Sequence, residues 1–220
     1  KDPKTYEHIK PEEVGNVRNI VVSDQSGKSN IISRLKSINI DINENDPKIK
    51  KLLNEVKDRE FIGYSYDGAD ASFELLVKKV LLEIPEFFSV QNFSVKVENS
   101  GSEGETMSNA EVKLKIGSEE IIGTGSGVGP VNALDKALRN NFESSGYSDV
   151  IKDLSLIDYK VRILNTGTDA ITRVSIECAD KYQKSWYTIG VSENIIEASF
   201  RALLDSFEYK LMKENTAPLK

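Results

Sequence analysis

Near residue 84 the spacing of the apolar residues changes, and beyond it one pattern runs twice. Phe93, Val95 and Val97 alternate with polar neighbours, as do Ala110, Val112, Leu114 and Ile116. Ile121 and Ile122 lead a third segment, and helical spacing then takes over to about Ser145. The same order returns in Tyr159, Val161 and Ile163, then in Ala170, Thr172, Val174, Ile176 and Cys178, then in Trp186 to Ile189. A last helical segment carries Ile196, Phe200, Leu203, Leu204, Phe207 and Leu211. A period of two belongs to half-buried strands and a period of 3.6 to helices, so the chain reads as βββα twice over. Ala133, Ala137 and Leu138 recur 65 positions on as Ala198, Ala202 and Leu203, and Gly127-Val128 is echoed by Gly190-Val191. Such recurrence indicates internal duplication. A lone three-stranded unit leaves one sheet face uncovered, so pairing of units and of chains is expected.

Before residue 84 the spacing is mostly helical. Ile49, Leu52, Leu53 and Val56 form one segment, opened by Asp46 as N-cap and Pro47 as first helical residue. Phe73, Leu76, Val77 and Val80 mark a second helix, residues 19–30 read as a short strand and a turn, and Pro85 in "EIPEFF" marks a linker. The expected fold class is α+β: a helical linker subdomain over 1–84, a duplicated βββα domain over 85–213, and a flexible tail over 214–220.

Composition excludes several classes of function. The net charge is −6, and a pI near 5.1 offers no electrostatic footprint for nucleic acid or an anionic membrane surface. No apolar run approaches the roughly 18 residues of a membrane span, and the single cysteine, Cys178, has no intrachain partner. A cytoplasmic chain with no signal peptide is expected, and the start at Lys1 without an initiator methionine leaves processing or excision from a longer protein open. His8, near the amino terminus, is the single histidine and Cys178 the single thiol, so a zinc site or a Ser-His-Asp triad is close to excluded, and no metal site is expected. His8 itself reads as a loop histidine. Glu12-Glu13, Glu119-Glu120 and Asp67 with Asp70 read as solvated faces and helix starts.

The stretch "IIGTGSGVGPVNALDKAL" at 121–138 has the look of a phosphate loop between a strand and a helix. It fails two tests. No Gly-Lys-Ser/Thr follows, so it is not a Walker loop, and it ends the third strand of an antiparallel meander rather than a βαβ unit. Nucleotide binding is therefore set aside. A small anion at the helix start or a tight turn with no ligand both remain open.

Several motifs carry a family resemblance. "TYEHIKPEEVGN" at 5–16, "SDQSGKSN" at 23–30 and "GYSYDGADASFELL" at 63–76 resemble the region after the catalytic barrel in the isopropylmalate, citramalate and homocitrate synthases. "GTGSGVGPVNALDKAL" at 123–138, "GTDAITRVSIE" at 167–177 and "IGVSENIIEASFRAL" at 189–203 resemble the family's carboxy-terminal regulatory domain. The resemblance covers nearly the whole chain, but the (β/α)₈ barrel with its metal-binding His and Asp residues has no counterpart. The wording of "YEHI", "VGN", "SGKSNI" and "GYSYDGADASFELL" is closer to the citramalate branch.

The resemblance implies a regulatory region that binds a branched amino acid at a homodimer interface: isoleucine in the citramalate branch, leucine in the isopropylmalate branch. Carried over motif by motif, the effector residues are Gly127, Gly129, Val131 and Asn132, then Leu156, Tyr159 and Ile163, then Thr166, Asp169 and Ala170, with Asp169 able to pair with the ammonium group. On a straight strand Tyr159 and Ile163 lie roughly 13 Å apart, so the strand bends or they line opposite ends of the pocket. The resemblance further implies that Tyr6 reaches the active site of the neighbouring subunit's barrel and assists catalysis there. The divalent metal, acetyl-CoA and a 2-keto acid belong to that absent barrel. This chain alone is expected to carry no cofactor and no catalysis. The alternative of another class is a free-standing small-molecule-binding dimerisation module.

Overall fold

The structure, a computed structural model, describes Ile9 and residues 11–15, 28–38, 40, 42–43, 46–81, 84–99, 101 and 104–220. Tyr6, His8 and most of the strand and turn expected at 19–30 lie outside the described residues. After a 3-10 turn at Pro11–Val14, three α-helices follow among the described residues: α1 (Lys28–Ser37), α2 (Pro47–Phe61) and α3 (Asp70–Leu81). Lys28–Asn30, read as part of a turn, instead open α1, because Ile31, Ile32 and Leu35 follow at helical spacing and are buried. Asp46 caps α2 by accepting a hydrogen bond from Lys48 N at 2.8 Å, with Pro47 in the first turn. Ile31, Leu35, Ile49, Leu52, Val56, Phe73 and Leu76 share one small core.

The remainder is α+β. β1 (Ser89–Asn99), β2 (Thr106–Ile116) and β3 (Glu119–Gly127) form an antiparallel meander followed by α4 (Pro130–Glu143) and a single turn, α5 (Ser148–Ile151). β4 (Ser155–Ile163), β5 (Thr172–Ala179) and β6 (Ser185–Ser192) repeat the meander, and α6 (Ile195–Lys213) closes it. Each helix lies on its own sheet, on the face carrying Ala110, Val112 and Leu114 in one unit and Val174, Ile176 and Cys178 in the other.

The duplication is written in matching irregularities. The first strand of each unit bulges at one place, Gln91 in β1 and Ile157 in β4, 66 positions apart. Phe142 and Phe207, 65 apart, stack on each other at 5.0 Å where the two helices meet. A Cβ on Gly125 would run into the Ala133 carbonyl and come within 2.6 Å of Ala137 N. One on Gly190 would run into the Ala198 carbonyl and come within 2.8 Å of Ala202 N. The counterpart of Gly190 is therefore Gly125, not Gly127. These small residues let helix and strand backbones approach more closely than any side chain allows.

That packing also corrects the phosphate-loop reading. Gly123, Gly125 and Gly127 are not a loop: they alternate along β3 on the face turned to α4. Only Gly129 lies between strand and helix, as the N-cap of α4.

The linker helices are fastened to the second unit. Ile189 of β6 joins their core. Ser72 Oγ accepts from Ile189 N at 3.0 Å and donates to Asp205 at 2.8 Å, while Lys79 pairs with Glu208 at 2.6 Å and Tyr209 donates to Glu74 at 2.9 Å. After α6, Leu219 lies against Gly146, and its N–H donates to the Tyr147 hydroxyl at 3.0 Å.

Candidate functional site

Each sheet has a first strand that its own helix covers incompletely. The helix-facing row of β4 continues from Leu156 through Tyr159 and Val161 to Ile163, and its first two members, Leu156 and Tyr159, stand opposite α4 of the other unit. Between them lies an open groove of about 630 Å³, lined by Val131, Asn132, Asp135 and Arg139 of α4 and by Lys152, Leu154, Ser155, Leu156 and Tyr159.

The polar groups of the groove are held in place. Arg139 donates through Nε to Asp135 Oδ2 at 2.8 Å and through Nη1 to the Leu154 carbonyl at 2.7 Å, and its guanidinium lies 5.7 Å from the Phe207 ring centroid. One arginine thus fixes the acidic side chain on one wall and the backbone of the other. The Tyr159 hydroxyl meets Ser199 Oγ at 2.8 Å; because Ser199 donates to the Ile195 carbonyl, the tyrosine is the donor. At the mouth of the groove α4 begins without a side-chain cap. Pro130 has no N–H and Ala133 N bonds to the Gly129 carbonyl at 3.0 Å, which leaves the amides of Val131 and Asn132 without partners among the described residues. Gly129 has open space where a Cβ would stand. This is an anion-accepting helix end beside an apolar wall.

Of the ten effector residues carried over from the resemblance, the groove brings together Val131, Asn132, Leu156 and Tyr159, with Gly129 at its mouth. Gly127 lies under the Asn132 side chain on β3. Ile163, 65 % exposed, sits at the far end of a β4 that runs without further bulge beyond Ile157. Thr166 and Asp169 are exposed on the β4–β5 connection, and Ala170 is buried just before β5. None of these four lines the groove within one chain. Asp135, Arg139 and Leu154 do, and sequence reasoning missed them: an acid and an arginine four apart on a helix look like a solvated face. Among the described residues no group of three or more His, Cys, Asp or Glu converges to hold a metal, and no helix is long and apolar enough to cross a membrane.

The groove has a twin. The offsets of 65 for the helices and 66 for the first strands set Phe200 against Asp135, Leu204 against Arg139, and Phe93 against Tyr159. In the twin, Phe93 and Phe200 bring their ring centroids to 4.3 Å and close the space. There α6 is also capped, the Asn194 side chain accepting from the amides of Ile196 and Glu197.

Comparison with known proteins places these features. Residues 1–61 match the family described as homocitrate synthase post-HMGL domain-like, and residues 67–211 match the LeuA allosteric (dimerisation) domain. The (R)-citramalate synthase of Geobacter sulfurreducens is 45% identical over 213 residues, covering 96% of this chain and 40% of the relative. That of Aquifex aeolicus is 44% identical over 216 residues, covering 97% and 40%. A probable 2-isopropylmalate synthase of Methanopyrus kandleri is 28% identical over 206 residues, covering 93% and 39%. The chain thus spans about 40% of the length of the curated relatives it matches. With well over half of its residues matched, and with a duplicated βββα architecture, the chain belongs to the LeuA allosteric (dimerisation) domain family.

Proposed function

We propose that this chain is the carboxy-terminal regulatory part of an (R)-citramalate synthase, an acyltransferase of isoleucine biosynthesis that condenses pyruvate with acetyl-CoA, and that it binds isoleucine as feedback inhibitor. The observation that carries this reading is the open groove between α4 and β4, set against a twin closed by two phenylalanine rings. A duplicated fold needs no groove there, so its opening in one half alone has another purpose. The partnerless amides of Val131 and Asn132 suit a carboxylate, and Val131, Leu154, Leu156 and the Tyr159 ring suit a branched aliphatic side chain.

The chain acts as a homodimer. Val97 of β1 is 53 % exposed, and Val161 and Ile163 of β4 are 41 % and 65 % exposed, although all three continue apolar rows on the buried faces of their sheets. Such rows call for a partner, and an isologous contact with a second copy is the commonest solution. The surface so covered includes Ile163 and adjoins Thr166, Asp169 and Ala170, which brings the remaining carried-over residues to the interface. In the longer enzyme Tyr6 reaches the neighbouring subunit's barrel as a proton or hydrogen-bond donor, where the divalent metal, acetyl-CoA and the keto acid are held.

Calorimetric titration of the chain with isoleucine, leucine and valine tests the reading. Isoleucine binding supports it. Leucine binding without isoleucine moves the chain to the 2-isopropylmalate synthase branch while keeping the site, and binding of none removes the site.

A further inference from the structure

We propose that Asp135, held by Arg139, is the counter-ion for the ammonium group of an amino acid in the α4–β4 groove; this rests on the reading of the groove as an effector site. Asp135 is the single acidic residue among the nine that line the groove. Its side chain is largely buried, and its one hydrogen bond among the described residues takes Oδ2, leaving Oδ1 to accept from a ligand. The cations on the same groove are Arg139, committed to Asp135 and Leu154, and Lys152, which pairs outward with Asp149 at 2.6 Å.

The arrangement matches a zwitterion. Val131 and Asn132, whose amides open toward the start of α4, stand four and three residues before Asp135 on the same side of the helix, about one turn or 5.4 Å along the axis. An amino acid carries its carboxylate and ammonium on one carbon, and hydrogen bonds of about 2.9 Å at each end span that separation. The branched side chain is then directed away from α4, toward Leu154, Leu156 and Tyr159. In the twin groove the counterpart of Asp135 is Phe200, so the charged pair is no requirement of the repeated fold. Asp169, the other acidic residue assigned to the effector, is exposed on the β4–β5 connection away from the groove.

The test compares isoleucine with its deaminated analogue, which keeps the carboxylate and the branched chain, by calorimetry on the unaltered chain and on Asp135→Asn and Asp135→Glu, with melting curves to verify folding. The unaltered chain binds isoleucine at least about tenfold more tightly than the analogue, and Asp135→Asn weakens isoleucine roughly ten- to a hundredfold and erases the preference. Asp135→Glu retains the preference. If Asp135→Asn keeps both affinity and preference, or if the Glu and Asn variants behave alike, Asp135 is only a helix ion-pair partner and the inference falls while the groove stands. If the unaltered chain binds the two ligands equally, the ammonium has no counter-ion and the inference falls again. If it binds neither, the inference and the groove reading fall together.

Discussion

The two grooves of this protein descend from one pattern and have opposite fates. Between α4 and β4 stand Asp135, Arg139 and Tyr159 around open space; between α6 and β1 the matching positions hold Phe200, Leu204 and Phe93, and the two phenylalanine rings meet. The helix at the open groove starts bare at Gly129, while the helix at the closed one is capped by Asn194. One copy of a duplicated unit can supply packing while its twin gives up packing for a ligand. The stability that the closed groove contributes is what the open one lacks until something fills it.

That contrast can be broken most forcefully by removing its plug. Phe200→Ala is expected to cost about 3–5 kcal/mol, because it leaves a cavity where Phe93 and Phe200 now pack, whereas Tyr159→Ala in the open groove costs about 1–2 kcal/mol, chiefly one hydrogen bond and partial packing. Urea denaturation of both variants decides it, and equal losses would mean that the grooves do not differ. Next in size, Gly125→Ala and Gly190→Ala each cost about 1–3 kcal/mol, since each new methyl meets helix backbone that cannot yield without shifting. Here the two units should respond alike, because the helix–strand contact is what they share.

The smallest expected effect is a pH dependence found in one unit only. Asp205 on α6 corresponds to Asn140 on α4, and burial pushes its carboxyl up to about 6, with Ser72 and the cations Lys79 and Arg59 pulling down and Glu208 pushing up. The folded state therefore holds a proton that the unfolded chain releases near pH 4, and stability falls as pH rises from about 4 to 6. Asp205→Asn, which copies the other unit, should flatten that slope in urea midpoints measured across the window.

Most of the architecture is legible in the sequence because burial has a period. Alternation in Ala110–Ile116 and Thr172–Cys178 marks the strands, and the recurrent alanines mark the helices packed on them. α1 escapes notice because Ile31, Ile32 and Leu35 follow a Ser- and Gly-rich stretch that reads as a turn. The glycines of β3 mislead for a physical reason: the residue that permits a turn is also the residue that permits a close helix, and Gly125 serves the second purpose. The groove is only half legible. Val131, Asn132, Leu156 and Tyr159 are reachable through motif resemblance, but Asp135 and Arg139 are distinguished only by the wall they face, and Ile163, Thr166 and Asp169 belong to a surface that a single chain leaves open.

The central claim is that the open groove is the binding site and its twin is not. It is tested most directly by titrating isoleucine into the unaltered chain and into a variant combining Asp135→Phe with Tyr159→Phe, which copies the side chains that close the twin. The account predicts saturation at one isoleucine per chain in the unaltered protein, and no detectable binding in the variant with its melting temperature kept or raised. A folded variant that binds isoleucine as tightly as the unaltered chain would contradict it.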